Sequence, residues 1–142
     1  MNVRKIAYSG TTLENYLICA YLQDGQVYFQ KGREPRHTTG AFWPVPKIES
    51  AAHWAINRAV ELGHTPLIIE CDIGDRPFEP IKQDEEVPVQ YVWLPRKNVG
   101  IKYLEEIIWE TFSDQMIPDP ERYFEKHDPV EVLGVTEKSN CC

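Results

Sequence analysis

Long hydrophobic runs and excess positive charge are both missing from this chain of 142 residues. No apolar run approaches the roughly 20 residues of a membrane-spanning helix, and the start, MNVRKIAYSG, has no apolar stretch typical of a secretory signal. The net charge of -7 repels phosphate backbones, which argues against non-specific nucleic-acid binding. We therefore expect a cytoplasmic protein that does not associate with membranes.

Motifs for metal and phosphate chemistry are also lacking. The four cysteines, Cys19, Cys71, Cys141 and Cys142, include no CxxC pair that would hold zinc or carry out dithiol chemistry. Cys19 and Cys71 are flanked by apolar residues, which predicts buried, inert thiols. Because no glycine-rich phosphate loop, HExxH motif, nucleophile elbow or calcium loop is present, we expect no metal site and none of the enzyme classes that these motifs mark.

The composition is that of one globular domain. The chain is 42% hydrophobic and 11% aromatic, enough apolar material for a core at this length. We expect a single α+β domain over residues 1–135 and a disordered tail over residues 136–142, since chain ends are rarely ordered.

The first third of the chain alternates strand and turn signals. Val3–Tyr8 has strand formers, Ser9–Thr11 is expected to break the strand, and Thr12 can cap the next element. Apolar residues in Leu13–Leu22 have helical spacing. Alternatively, LICAYL belongs to a strand that pairs with Gln26–Gln30 across a hairpin at Asp24–Gly25.

The middle of the chain carries the clearest pattern. Alanines and a shared apolar face predict a helix over Ser50–Leu62, ended by Gly63 as its C-cap. Pro66–Asp72 is nearly continuously apolar, which predicts a strand buried on both faces. Val89–Leu94 predicts another strand, and for residues 99–109 we favour a short turn followed by a strand over a helix.

Several short segments, in this order, resemble the ADP-ribosyltransferase superfamily. They are YSGT (8–11), LEN (13–15), QVYF (26–29), ESAAHWAINRAVELG (49–63), TPLIIECDI (65–73) and VPVQYVWLPRKNVGIKYLEEI (87–107). The resemblance implies small mixed or antiparallel sheets in a split β-sandwich with flanking helices. It also implies NAD as the substrate, bound in a cleft between the sheets, and ADP-ribose transfer to an unknown protein or nucleic-acid acceptor.

The resemblance also implies binding residues. Ser9, Gly10 and Thr11 stand where the family binds the nicotinamide amide, with Ser9 in the place of a histidine. Tyr28 lies on the aromatic strand of the resemblance. The loop over residues 31–47 is proline- and glycine-rich, and long loops of this kind are often functional.

Basic residues in this loop, Arg33, Arg36 and His37, suit a bound pyrophosphate. A solvated basic loop is an equally good interpretation.

The catalytic position is occupied by Gln90, where the family has a glutamate, with Glu86 as the alternative. A carboxylate there stabilises the oxocarbenium-like charge that develops when the nicotinamide bond breaks. Losing that charge costs about two to three orders of magnitude in rate. Glu105 and Glu106 are further alternatives.

Two other functions are compatible with these patterns. One is an inactive nucleotide- or protein-binding module on the same fold. The other is an acidic interaction or inhibitor protein of viral or mobile-element type, presenting the acidic residues around Asp84–Glu86 to a basic partner. The oligomeric state stays open.

Overall fold

The computed structural model describes residues 4–33, 41–95 and 124–127. The expected α+β class is confirmed. The elements, in chain order, are β1 (Ile6–Thr12), α1 (Leu13–Cys19), β2 (Ala20–Gln23), β3 (Gln26–Gln30), a 3-10 turn (Lys31–Arg33), α2 (Ile48–Leu62), β4 (Pro66–Asp72), β5 (Glu86–Pro95) and β6 (Phe124–His127).

All six described strands belong to one antiparallel sheet. Its order is β1-β4-β5-β3-β2, and β6 pairs with the second half of β5. Since β4 occupies one edge of β5, β3 and β6 share the other edge. The described strands therefore do not divide into the two sheets of a split sandwich.

The region of α1 and β2 combines the two alternatives that the sequence left open. Helix α1 ends at Cys19, and Ala20–Gln23 pairs with β3 across a hairpin. Asp24 and Gly25 both have positive φ, 52° and 78°, as a two-residue turn of type I′ requires. A helix extending to Leu22 was therefore wrong, because pairing with β3 outweighs the helical spacing.

Strand β1 runs through the predicted break at Ser9–Thr11. Its partner β4 pairs with every residue from Ile6 to Thr12. Thr12, at the end of the strand, caps α1 by accepting a hydrogen bond of 3.2 Å from the backbone N–H of Asn15. The cap was predicted correctly, but the break before it was wrong.

The middle elements agree closely with the sequence pattern. Helix α2 ends at Leu62, as predicted, and Gly63 forms the predicted left-handed C-cap with a φ of 69°. The helix begins two residues before the predicted Ser50. The bounds of β4 are those predicted. Strand β5 starts at Glu86 instead of Val89, because pairing with β3 extends it. Predictions for residues 99–109 and for the tail lie outside the described residues.

Different elements cover the two faces of the sheet. The helix face is covered by α2, whose alanines pack on Ile68 and Trp93. The opposite core face is covered by α1 and the loops around Phe42 and Ile81. Helix α2 lies mainly over β1 and β4, so most helix-face side chains of β5, β3 and β2 lie beyond it.

Neither α1 nor α2, the two α-helices in the described part of the chain, has the length and apolar character to cross a membrane.

Candidate functional site

The three residues predicted to bind nicotinamide do not share a face of the sheet. Ser9 and Thr11 are buried on the core face, paired with Ile69 and Leu67. Gly10 lies against α2: a Cβ atom there would be 2.2 Å from the carbonyl oxygen of Ala51. This close packing explains Gly10 structurally, and the role in nicotinamide binding stays a prediction.

Three other predicted residues, Tyr28, Arg33 and Glu86, do come together around Tyr21, on the helix face of β2, β3 and β5. The rings of Tyr21 and Tyr28 are paired across the strands with centroids 6.1 Å apart. The Arg33 guanidinium carbon lies 4.9 Å from the centroid of the Tyr21 ring. Glu86 interacts with the Tyr21 hydroxyl. We call these four residues the tyrosine–arginine patch.

Electrostatics in this patch keep the Tyr21 hydroxyl protonated. Burial raises the pKa of Tyr21, the Glu86 carboxylate raises it further, and the Arg33 guanidinium opposes the shift. Tyr21 itself is buried, so the half-buried side chains of Tyr28, Arg33 and Glu86 are the parts of the patch that a ligand can reach.

Next to the patch, the sheet carries a buried carboxylate. Glu70, on β4, is only 7% exposed and lies between Tyr8 of β1 and Tyr91 of β5. Burial is the largest cause of the raised pKa of Tyr8. The carboxylate of Glu70 raises this pKa further, and that of Glu49 has a smaller effect in the same direction.

A β-bulge in β5 places Gln90 beside Glu70. The pairing of β4 with β5 shifts by one residue between Glu70 and Cys71, so Gln90 is the extra residue on β5. Val89 and Val92 both pack in the core face. The two residues between them, Gln90 and Tyr91, therefore both fall on the helix face beside Glu70.

We call this second group the Glu70 cluster. Its members are Tyr8, Glu49, Glu70, Gln90 and Tyr91. Sequence reasoning included Gln90 and missed Glu70, because PLIIECD was interpreted as a wholly buried strand. The missed signal is a single carboxylate inside an apolar strand, since burying one is costly unless it serves a structural or chemical role.

The strands that carry the patch and the cluster are close together in the sheet. Neighbouring strands are about 4.8 Å apart, which puts β2 about 14 Å from β4 across β3 and β5. Between them, Gln26 donates hydrogen bonds of 2.8 Å from Nε2 to the carbonyl oxygens of Val27 and Val89. The hydrogen bond to Val89 joins β3 to β5 at the last residue of β5 that pairs with β3. The pairing of β5 with β6 begins three residues later, at Val92.

The remaining predictions have simple outcomes. Cys19 and Cys71 are buried thiols, as predicted, and burial raises the pKa of Cys71 to about 12. Within residues 4–33, 41–95 and 124–127, no three His, Cys, Asp or Glu side chains are grouped to hold a metal ion. Arg36 and His37 lie outside the described residues.

Comparison with known proteins leaves the family open. No family model, curated protein or solved structure matches the chain.

Proposed function

We propose that this chain binds NAD or a closely related nucleotide on the helix face of its sheet, at the tyrosine–arginine patch. The observation that supports this most is the gathering of Tyr28, Arg33 and Glu86 around Tyr21. These three residues were selected from the sequence as ligand contacts, and they come from three separate elements.

The side chains suit the parts of such a ligand. The planar guanidinium of Arg33 offers paired donors to a pyrophosphate, and its position over Tyr21 limits the freedom lost on binding. The Tyr28 ring provides a surface for a base or a sugar. With a net charge of -7, the protein favours a small nucleotide over a nucleic-acid strand.

Nucleotide binding is the first proposed function, and ADP-ribose transfer is the second candidate. Glu86 favours the second candidate because it puts a carboxylate in the patch, whereas Gln90 is neutral and cannot stabilise the positive charge of the transition state. The ADP-ribosyltransferase-like arrangement of the fold and an unidentified protein or nucleic-acid acceptor belong to this second candidate.

The test is a calorimetric titration of the purified protein with NAD, with nicotinamide release followed over hours in the same sample. Arg33→Gln removes a charged donor to phosphate and is expected to weaken binding about 10- to 100-fold. Arg58→Gln is the matched control, since Arg58 lies on α2 and pairs with Glu61 at 3.6 Å.

The results separate the candidates. Saturable binding that Arg33→Gln weakens and Arg58→Gln leaves unchanged supports the binding function. Release of nicotinamide adds the transferase. Equal loss in both variants contradicts the site, and no binding at millimolar NAD contradicts the function and favours an acidic interaction protein.

A further inference from the structure

We propose that Gly32 is a positioning residue for the tyrosine–arginine patch, because it locks the turn that carries Arg33 onto the segment before β5. We call this contact, formed by Gln30 and Gly32 with the backbone of Gln83 and Asp84, the Gly32 clamp. The inference rests on the proposed nucleotide function, and it deepens it by naming what holds the phosphate donor in place.

The turn that carries Arg33 has little stability of its own. It is a 3-10 turn of three residues, Lys31–Arg33, and it directly follows β3. A single turn of this kind fixes several backbone angles for few hydrogen bonds, so it does not persist alone. Another part of the chain must therefore support it if the Arg33 guanidinium is to stay 4.9 Å from the centroid of the Tyr21 ring.

Two hydrogen bonds to backbone carbonyls supply this support. The N–H of Gly32 donates to the carbonyl oxygen of Gln83 at 2.8 Å, and Nε2 of Gln30 donates to that of Asp84 at 3.0 Å. Strand β3 ends at Gln30, which pairs with Glu86 at the start of β5. The clamp therefore continues the contact between these two strands into the turn.

Position 32 is a glycine because the two backbones come too close for a side chain. A Cβ atom on Gly32 would lie 2.9 Å from the carbonyl oxygen of Gln83 and 3.3 Å from its carbonyl carbon. Both are backbone atoms, which cannot turn away as the tip of a side chain does. Any larger residue at this position must therefore push the turn away from Gln83.

The segment that receives these hydrogen bonds is itself anchored. Ile81 is 4% exposed, and its backbone exchanges hydrogen bonds of 2.8 and 3.3 Å with that of Phe42. The N–H of Glu85 donates to the carbonyl oxygen of Lys82 at 3.2 Å, which closes a turn, and Glu86 follows at the start of β5. One fixed turn therefore supports the cation of the patch and leads directly into its carboxylate.

The clamp matters for binding because it orders Arg33 before a ligand arrives. Immobilising a long side chain only on binding costs entropy, and an arginine that is already held in place avoids part of that cost. We expect loss of the clamp to weaken NAD binding about 2- to 10-fold. This is a smaller effect than loss of the guanidinium itself, because the charge remains.

The experiment follows the side chain of Arg33 by NMR, without ligand, and then measures NAD affinity by calorimetry. Protons held over an aromatic ring are shifted upfield by its ring current, so the side-chain protons next to the guanidinium are expected upfield of their random-coil positions in the wild type. In Gly32→Ala they are expected to move back toward those positions, with the amide resonances of α2 unchanged.

Two further variants complete the comparison. Gln83→Ala is the matched control, because it keeps the backbone carbonyl that the clamp uses, and it is expected to retain the upfield shift and the wild-type affinity. Gln30→Met removes the second hydrogen bond without adding a clash, so it tests the clamp even if Gly32→Ala fails to fold. Its Arg33 resonances are expected to move in the same direction by a smaller amount.

The results separate the clamp from the function. Loss of the upfield shift together with weaker NAD binding supports the inference. An unshifted Arg33 in the wild type, or a shift and an affinity that folded Gly32→Ala and Gln30→Met both retain, overturns it. If the shift is lost in the variants but no protein binds NAD, the clamp on Arg33 is supported and the proposed function alone fails.

Discussion

Gly10 shows how much depends on a single missing side chain. Its position in YSGT fits a ligand-binding turn when only the sequence is considered. In the fold, the backbone of α2 packs directly on β1 at this residue, with Ala51 and Ala55 as its neighbours. Close helix packing and ligand binding both favour a residue without a side chain, so glycine alone does not distinguish them.

Substitution of Gly10 tests this packing. In Gly10→Ala, the new Cβ would lie 2.2 Å from the carbonyl oxygen of Ala51 and 2.6 Å from the backbone nitrogen of Ala55, so α2 must move away from β1. We expect the free energy of unfolding, measured by urea denaturation, to fall by about 1–3 kcal/mol.

The control for this experiment is Ser9→Ala, which shortens a side chain on the other face of the same strand. A Gly10→Ala protein as stable as the wild type would contradict the close packing of α2.

At the scale of elements, local signals were sufficient for some boundaries and not for others. Helix α2 and its cap at Gly63 result from alanine content and glycine conformation, and β4 results from a continuous apolar run. Strand β5 is three residues longer at its start than its own sequence indicates, because β3 supplies partners for Glu86–Pro88. Long-range pairing of this kind is invisible to local periodicity.

The junction of β3, β5 and β6 gives a prediction at this scale. The Gln26 amide donates to the carbonyl oxygens of Val27 and Val89, each at 2.8 Å. Gln26→Glu replaces the donor with an acceptor that faces the same two oxygens. We expect it to lower the free energy of unfolding at neutral pH by about 1–3 kcal/mol, since the carbonyls lose their donor and meet a negative charge.

Gln26→Met is the control, because it keeps the length of the side chain and adds no charge. It should cost less than Gln26→Glu, and lowering the pH until the new carboxyl is protonated should recover part of the difference. Equal stability of the glutamate and methionine variants at neutral pH would mean that the Gln26 bonds do not hold the junction.

Across the whole molecule, the candidate site was only partly readable from the sequence. Tyr28, Arg33, Glu86 and Gln90 all lie on or beside the helix face, yet their common location depends on strand order and on the bulge. Glu70 was missed because its strand was interpreted as buried on both faces. Sequence patterns identify unusual side chains, whereas their grouping is a property of the sheet register.

The central claim is that a nucleotide binds at the tyrosine–arginine patch on the helix face, and amide chemical-shift mapping with NAD tests it most directly. The account predicts the largest shifts at Tyr28, Arg33 and Glu86, and none at Leu17 and Ile18, which are exposed on α1 at the other side of the sheet. Shifts confined to α1, or no shifts at saturating NAD, would contradict it.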